Sequence, residues 1–579
     1  MHKRVGEPHA RTAPGVFDIY PDFPLSDGQI EAGYAALAAI IAAKLREGAR
    51  WVVIDGFGGV LWATLQREVD AELVRMNVSI NWRDAAACFL PDAVLTEKYA
   101  ENLGGADPLF GKLCEDDLGG FFDGKKLYEL AAADDLPVIV YGAGAALVGS
   151  FDLLVYVDVP KDEIQKRLAE KKITNLGSSE ASYKRSYFLD WQVLNRHKAM
   201  LLPGIDAFVD GTDAARPTLI SGENLRAALT TLSQNVFRVR PWFAPGPWGG
   251  QWMKEHFTEL DQNVPNYAWS FELITPENGL VLNSGGERLE FSFDLLMFQR
   301  YREVLGRAAE HFGYNFPIRF DYLDTIEGGN LSVQVHPNTD YMRENFGEPF
   351  TQDESYYITT CTPGARVYLG FRDGVDSSEF RREVERSHAE GVTIDIDRFV
   401  NRVDASPHDL FLIPSGTIHG SGVNNLVLEI SATPYIYTFK IYDWMRRDLN
   451  GNLRPLNIER AWENLDFTRQ EDYVASQLCP QPQTLREGVG WREVVVGTHD
   501  MLFYAVHRYE FDQPMEVETE GRCHILNVVE GTAVIVEMAN GYRAQFNYAE
   551  TFVIPAAAQT YRLIPMGDQL CKVVVAFVK

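Results

Sequence analysis

The chain has 579 residues, 46% of them hydrophobic and 23% charged, with a formal net charge of −27. That length predicts about three or four domains of ordinary size, and the composition is that of globular rather than disordered protein. So negative a chain repels nucleic acid and anionic membrane, and neither is expected as a partner; a small anion stays admissible because a site can be locally positive.

Met1-His2-Lys3-Arg4 leads into polar, proline-containing sequence without an apolar core segment, so no secretory signal is read there. The longest apolar runs, such as Pro137 to Tyr141 and Leu153 to Val157, are strand-sized and too short to span a bilayer. Cys88, Cys114, Cys361, Cys479, Cys523 and Cys571 are scattered without close pairing, as expected of free thiols in a reducing compartment. A cytoplasmic location is expected.

Residues 1–235 read as an α/β domain with a parallel sheet. Ala32 to Arg46 has helical spacing, Trp51-Val52-Val53-Ile54 is a short strand ending at Asp55-Gly56-Phe57-Gly58-Gly59, and Val60 to Val74 reads as the next helix. Further apolar strands are expected at Leu136 to Tyr141 and Asp152 to Asp158. The order of strand, glycine loop and helix, with Leu153 to Pro160, resembles P-loop nucleoside and nucleotide kinases. The phosphate-binding chemistry is missing, however: Leu61, Trp62 and Ala63 stand where glycine, lysine and a hydroxyl residue are needed. Two readings stay open, a degenerate kinase-like domain that no longer transfers phosphate and an α/β scaffold with no nucleotide history.

Residues 236–460 read as a cupin-like, jelly-roll barrel. Pro241, Pro245 and Pro247 mark the entry, an early strand is expected in Pro265 to Glu272, and a helical insertion at about 293–311. Short strands follow at Ser332 to Val335, Ser355 to Thr359, Val367 to Gly370, Leu410 to Ile413 and Leu426 to Ser431, punctuated by Gly, Pro and Asn. Gln334 and His336 are two apart and so share one face of a strand. Glu354 follows at 354 − 336 = 18 residues, and His419 comes after the turn residues Pro414 and Gly416. Two imidazoles, a carboxylate and an amide oxygen suit zinc or a similar divalent ion with a position open to substrate, whereas each residue alone would read as an ordinary polar side chain.

The stretch Leu331 to Asn338 resembles the first metal-binding motif of the type I phosphomannose isomerases. Trp248-Gly249-Gly250-Gln251-Trp252 resembles that family's opening motif, and Lys440 to Asp448 its Tyr-Asp-aromatic segment. The resemblance covers residues 236–579. It implies that Gln334, His336, Glu354 and His419 ligate one zinc ion, and that the reaction interconverts mannose 6-phosphate and fructose 6-phosphate, or a related sugar phosphate, through an enediol. Such a step needs a group to move a proton between C2 and C1 and a cation to steady the oxyanion. Glu429, on the strand after His419, is the expected proton carrier or else an orienting partner of the ligands, and Lys440 the expected cation. Two positions depart from the family: Gln352 stands in place of a lysine and Lys440 in place of an arginine. These departures support the alternative of a catalytically impaired, metal-containing sugar-phosphate sensor.

Residues 461–579 read as a second, structural barrel, with strands at Met501 to Tyr509, His524 to Val529, Ala533 to Glu537 and Val573 to Val578. Its histidines, His499, His507 and His524, lack the companions that a metal site needs.

Overall fold

A computed structural model describes residues 9–105, 107–275, 277–447 and 451–579. Met1 to Arg4 and Asp448, used above, lie outside the described residues.

Seven strands build the first sheet, in the order Ile30–Ala32, Thr218–Ser221, Ala207–Asp210, Leu153–Asp158, Trp51–Gly56, Val138–Tyr141, Asn81–Asp84. The last five are parallel, and the first two add an antiparallel edge. Leu153–Asp158 is buried along its whole length, and Trp51–Gly56 at every position but the first, as strands covered on both faces must be. Helix Tyr34–Arg46 buries Leu37, Ala38, Ile41 and Ala42 on one face and ends on Lys44 and Arg46, where cations favour the helix dipole.

Trp51–Gly56 is first in sequence among the parallel strands and central in space, so a crevice is expected beyond its carboxyl end. The residues beyond that end, 57–64, line a cavity of about 800 Å³ together with Gly142, Ala143 and residues 172–179. Asp55 is fully buried and accepts hydrogen bonds from the N–H groups of Gly56, Gly144 and Ala146, at 2.6, 3.0 and 2.8 Å, and contacts His197 Nε2 at 2.8 Å. Phe57 packs beneath Lys198, whose Nζ is 4.1 Å from the ring centroid.

The second part is a pair of facing antiparallel sheets. One has the order Leu410–Ile413, Glu354–Cys361, Asn425–Ala432, Ile318–Asp324, Trp269–Leu273, Trp242–Ala244; the other runs Val400–Asp404, Arg366–Phe371, His419–Ser421, Val333–Val335, Phe439–Tyr442. Helices Asp294–Leu305 and Ala309–Phe312 precede Ile318–Asp324, and the first is kinked at Arg300. A further helix, Ser377–Glu390, is held by an Asp376 N-cap and a left-handed Gly391 C-cap. In the Trp248-Gly249-Gly250 turn a Cβ on Gly250 would collide with the Asp324 carboxylate, so only glycine fits that approach.

The C-terminal part also has two antiparallel sheets, of six and four strands, around a core that includes Leu526, Val534, Phe546, Phe552 and Val575. Residues 9–24, which precede the α/β sheet in sequence, lie elsewhere in space. His9 bridges Ala544, the Asp18 N–H donates to Glu550 at 2.7 Å, and Phe23–Pro24 runs parallel to Leu282 and Asn283. No helix among the described residues is long and apolar enough to cross a membrane.

Candidate metal centre

Strand register assembles the centre. Gln334 pairs with His419 on one side and with Lys440 on the other, which places all three side chains in one row of the five-stranded sheet. His336 follows just past the end of that strand. On the facing sheet Glu354 pairs with Ser431, which pairs with Arg319; two residues along, Tyr356, Glu429 and Asp321 form a second row. Alternate residues of a strand share a face, so these six side chains look the same way, toward the imidazoles. The turn before His419 needs Gly416 at φ +87° and is tied by Arg469, whose Nη1 donates to the Pro414 carbonyl at 2.7 Å.

Each histidine is steered from behind. His336 Nδ1 lies 3.0 Å from the Tyr437 carbonyl and His419 Nδ1 lies 2.9 Å from that of Thr417. A carbonyl only accepts, so each Nδ1 carries the proton and each Nε2 presents a lone pair to the centre. Those lone pairs meet Glu354 Oε2 at 3.1 and 3.0 Å. Three electron-rich atoms therefore converge in a place no more than 1% exposed, and neither His336 Nε2 nor Glu354 Oε2 has a hydrogen-bond donor. Such a cluster is stable around a cation. Among the described residues this is the one group of three His, Cys, Asp or Glu side chains close enough to share an ion. Gln334 Oε1 accepts from the Ser332 hydroxyl at 2.9 Å while its Nε2 lies 3.4 Å from His419 Nε2. The hydroxyl both donates and accepts, so turning the amide over keeps that bond and presents Oε1 to the centre.

Behind Glu354 lies a buried charge cluster. Arg319 donates to Glu429 and, at 2.5 Å, to the Ser431 hydroxyl, and stands 3.8 Å from Glu354. Burial, then the Asp321 and Glu354 carboxylates, push Glu429 well above the ordinary carboxyl range against the pull of Arg319. Burial likewise raises Asp321 to about 7, with Arg319 opposing and Glu354 assisting. Gln352 Nε2 donates to Glu354 Oε1 at 3.2 Å, so the residue that departs from the family touches a proposed ligand. Lys440 is half-buried; burial, Arg454 and Arg446 lower its ammonium to about 8, with Asp443 opposing. Arg319 and Asp321 escaped the sequence reading, although the alternation in Arg319-Phe320-Asp321-Tyr322 signals a strand with one charged face. The C-terminal histidines are separately occupied, His499 with Tyr473, His507 with Glu493 and His524 with Tyr561.

Fold and site define a double-sheet β protein carrying a buried His-Glu-His group able to hold one metal ion. Over about half of its length the chain is homologous to type I phosphomannose isomerases, which are isomerase enzymes. It is 27% identical over 324 residues to the mannose-6-phosphate isomerase ManA of Bacillus subtilis, an alignment spanning 56% of this chain and 94% of the relative. Among solved structures, mannose 6-phosphate isomerase from Bacillus subtilis matches 59% of this chain and 99% of its own at 20% identity and a TM-score of 0.47. A zinc-bound mannose 6-phosphate isomerase matches 59% of this chain and 99% of its own at 14% identity and a TM-score of 0.45. Residues 33–234 match a family described as a domain of unknown function (DUF8485).

Proposed function

We propose that residues 236–460 form the catalytic part of a zinc-dependent aldose–ketose isomerase that interconverts mannose 6-phosphate and fructose 6-phosphate, or a closely related pair, through an enediol. The observation that carries the reading is the convergence of two imidazole Nε2 atoms, each with its Nδ1 tied to a backbone carbonyl, and a carboxylate oxygen on one buried point. Homology to mannose-6-phosphate isomerases supports it from an independent direction. Gln334, His336, Glu354 and His419 would hold the ion, which when bound supplies a Lewis acid for the open-chain carbonyl. Lys440, in the row of Gln334 and His419, offers a positive charge to the enediolate or the phosphate. Glu429 carries the proton between C2 and C1, or else orients Glu354 through Arg319. A coupled assay of mannose 6-phosphate against other phosphorylated and free aldoses, with and without added zinc, tests the reading. Zinc-dependent turnover of a phosphorylated aldose is the expected result, and a lack of turnover on the whole panel contradicts it.

Gln352 and Lys440 favour a second reading, a sugar-phosphate sensor with the same site. Tight binding of mannose 6-phosphate without conversion marks that case. For the α/β part within residues 1–235 we propose a degenerate kinase-like domain that no longer transfers phosphate, and for 461–579 a structural barrel. The glycine loop after Trp51–Gly56 supports the first, together with Leu61, Trp62 and Ala63 at the start of helix Trp62–Arg75. ATP consumption by the intact chain, dependent on that loop, would overturn it.

A further inference from the structure

Helix Trp191–Leu201 of the α/β part and residues 312–316, 348–350 and 433–435 of the metal-binding part enclose a cavity of about 490 Å³. Nine of its lining residues are aromatic, Trp191, Phe298, Tyr314, Phe350 and Tyr435 among them, and a buried carboxylate also lines it. Glu348, 7% exposed, accepts at Oε1 from the Tyr437 hydroxyl at 2.9 Å and the Tyr187 hydroxyl at 3.5 Å, and its Oε2 makes no hydrogen bond with the described residues. Asn195 and Thr433 line it from opposite sides of the domain junction, with Oδ1 and Oγ1 turned away from the open space. Burial, opposed by hydrogen bonds from Tyr437 and Tyr187, pushes Glu348 up to about 7. The guanidinium of Arg196 is turned to the carbonyls of Cys114 and Asp116, and Asp294 is paired with Lys161 at 2.7 Å.

We infer that this interdomain cavity is a binding site for a neutral, hydroxyl-rich ring compound such as a monosaccharide, separate from the metal centre. The aromatic wall residues suit the C–H faces of a sugar ring, and a hydroxyl donor satisfies the idle Oε2 of Glu348. Among the described residues that line it Arg196 is the one cation and spends Nη2 on two carbonyls, while Asp294 and Glu348 are acidic, so the free sugar is favoured over its phosphate. None of the proposed metal ligands lines the cavity. The α/β part supplies one wall, so the site exists only in a chain that carries both parts, and the inference stands whether or not the metal centre is an isomerase.

Calorimetric titration of the full, chelator-treated chain with D-mannose, D-glucose and myo-inositol, and with mannose 6-phosphate as the charged control, tests it. The expected result is saturable one-to-one binding of at least one neutral probe, retained in His419→Ala. Tyr314→Ala and Glu348→Gln should each weaken it by about tenfold or more, the first by removing an aromatic wall and the second by replacing a carboxylate acceptor with an amide. The near-isosteric Glu348→Gln guards against a fold defect in the other variant, and melting temperature reports on both. The inference is overturned if all three neutral probes fail to saturate, if either correctly folded variant binds as the parent does, if His419→Ala abolishes binding, or if the phosphate binds more tightly.

Discussion

His336 and His419 owe their ligand-ready state to two backbone carbonyls, those of Tyr437 and Thr417, which fix the proton on Nδ1 and free Nε2. Replacing either imidazole by alanine should take zinc from one ion per chain to near none, read by elemental analysis. Glu429→Gln separates its two proposed roles. Loss of about 10²–10⁴ in kcat with full zinc content marks a proton carrier. A fall of about 10–100-fold in zinc affinity, with kcat restored by excess zinc, marks an orienting partner. The Lys440 ammonium has been lowered to about 8, so raising the pH through 8 removes its positive charge, and kcat/KM should fall along that limb. Lys440→Arg should carry that limb out of the accessible range, because a guanidinium stays charged up to about pH 12. At this scale the motif residues were readable because their types and spacing are themselves the chemical signal. Arg319, Asp321 and Tyr437 were not, because strand register and a chain reversal bring them to the centre from elsewhere in the sequence.

Elements were readable where one force dominates. Leu153–Asp158 shows as an apolar run because both of its faces are covered, and Tyr34–Arg46 as a helix because its alanines and leucine repeat on one side. Helix Ser377–Glu390 went unread despite visible caps at Asp376 and Gly391, since it buries only Phe380, Val384 and Ser387 and so carries a weak apolar stripe. The loops of the α/β sheet are organised by one residue, Asp55, which gathers three backbone N–H groups and His197. Asp55→Ala should destabilise the α/β part by about 3–5 kcal/mol, the scale for breaking a buried polar network, and shift its urea transition accordingly. A change below about 1 kcal/mol would mean that the loops hold themselves.

The whole molecule joins its parts through apolar and charged contacts that no single segment announces. Phe110, from the α/β part, is 3% exposed and packs against Phe346, Tyr437 and Phe439, while the neighbouring Asp107 pairs with Arg460 at 2.7 Å. Lys198, fully buried, donates to Ser292 at 2.8 Å across the same junction. Phe110→Ala should cost about 3–5 kcal/mol and expose the junction to limited proteolysis before either part unfolds. These contacts were hidden in the sequence because each partner reads locally as an ordinary loop residue, and residues 9–24 were hidden likewise because their strand partner is more than 250 positions away. The contacts nevertheless place the α/β part against Tyr437, whose carbonyl steers His336. The most direct test of the central claim follows the C2 proton of mannose 6-phosphate by NMR in D2O with the zinc-loaded full chain. The account predicts conversion to fructose 6-phosphate, lost on chelation and regained with zinc; a zinc-loaded chain that neither exchanges that proton nor forms the ketose, with this or a related sugar phosphate, contradicts it.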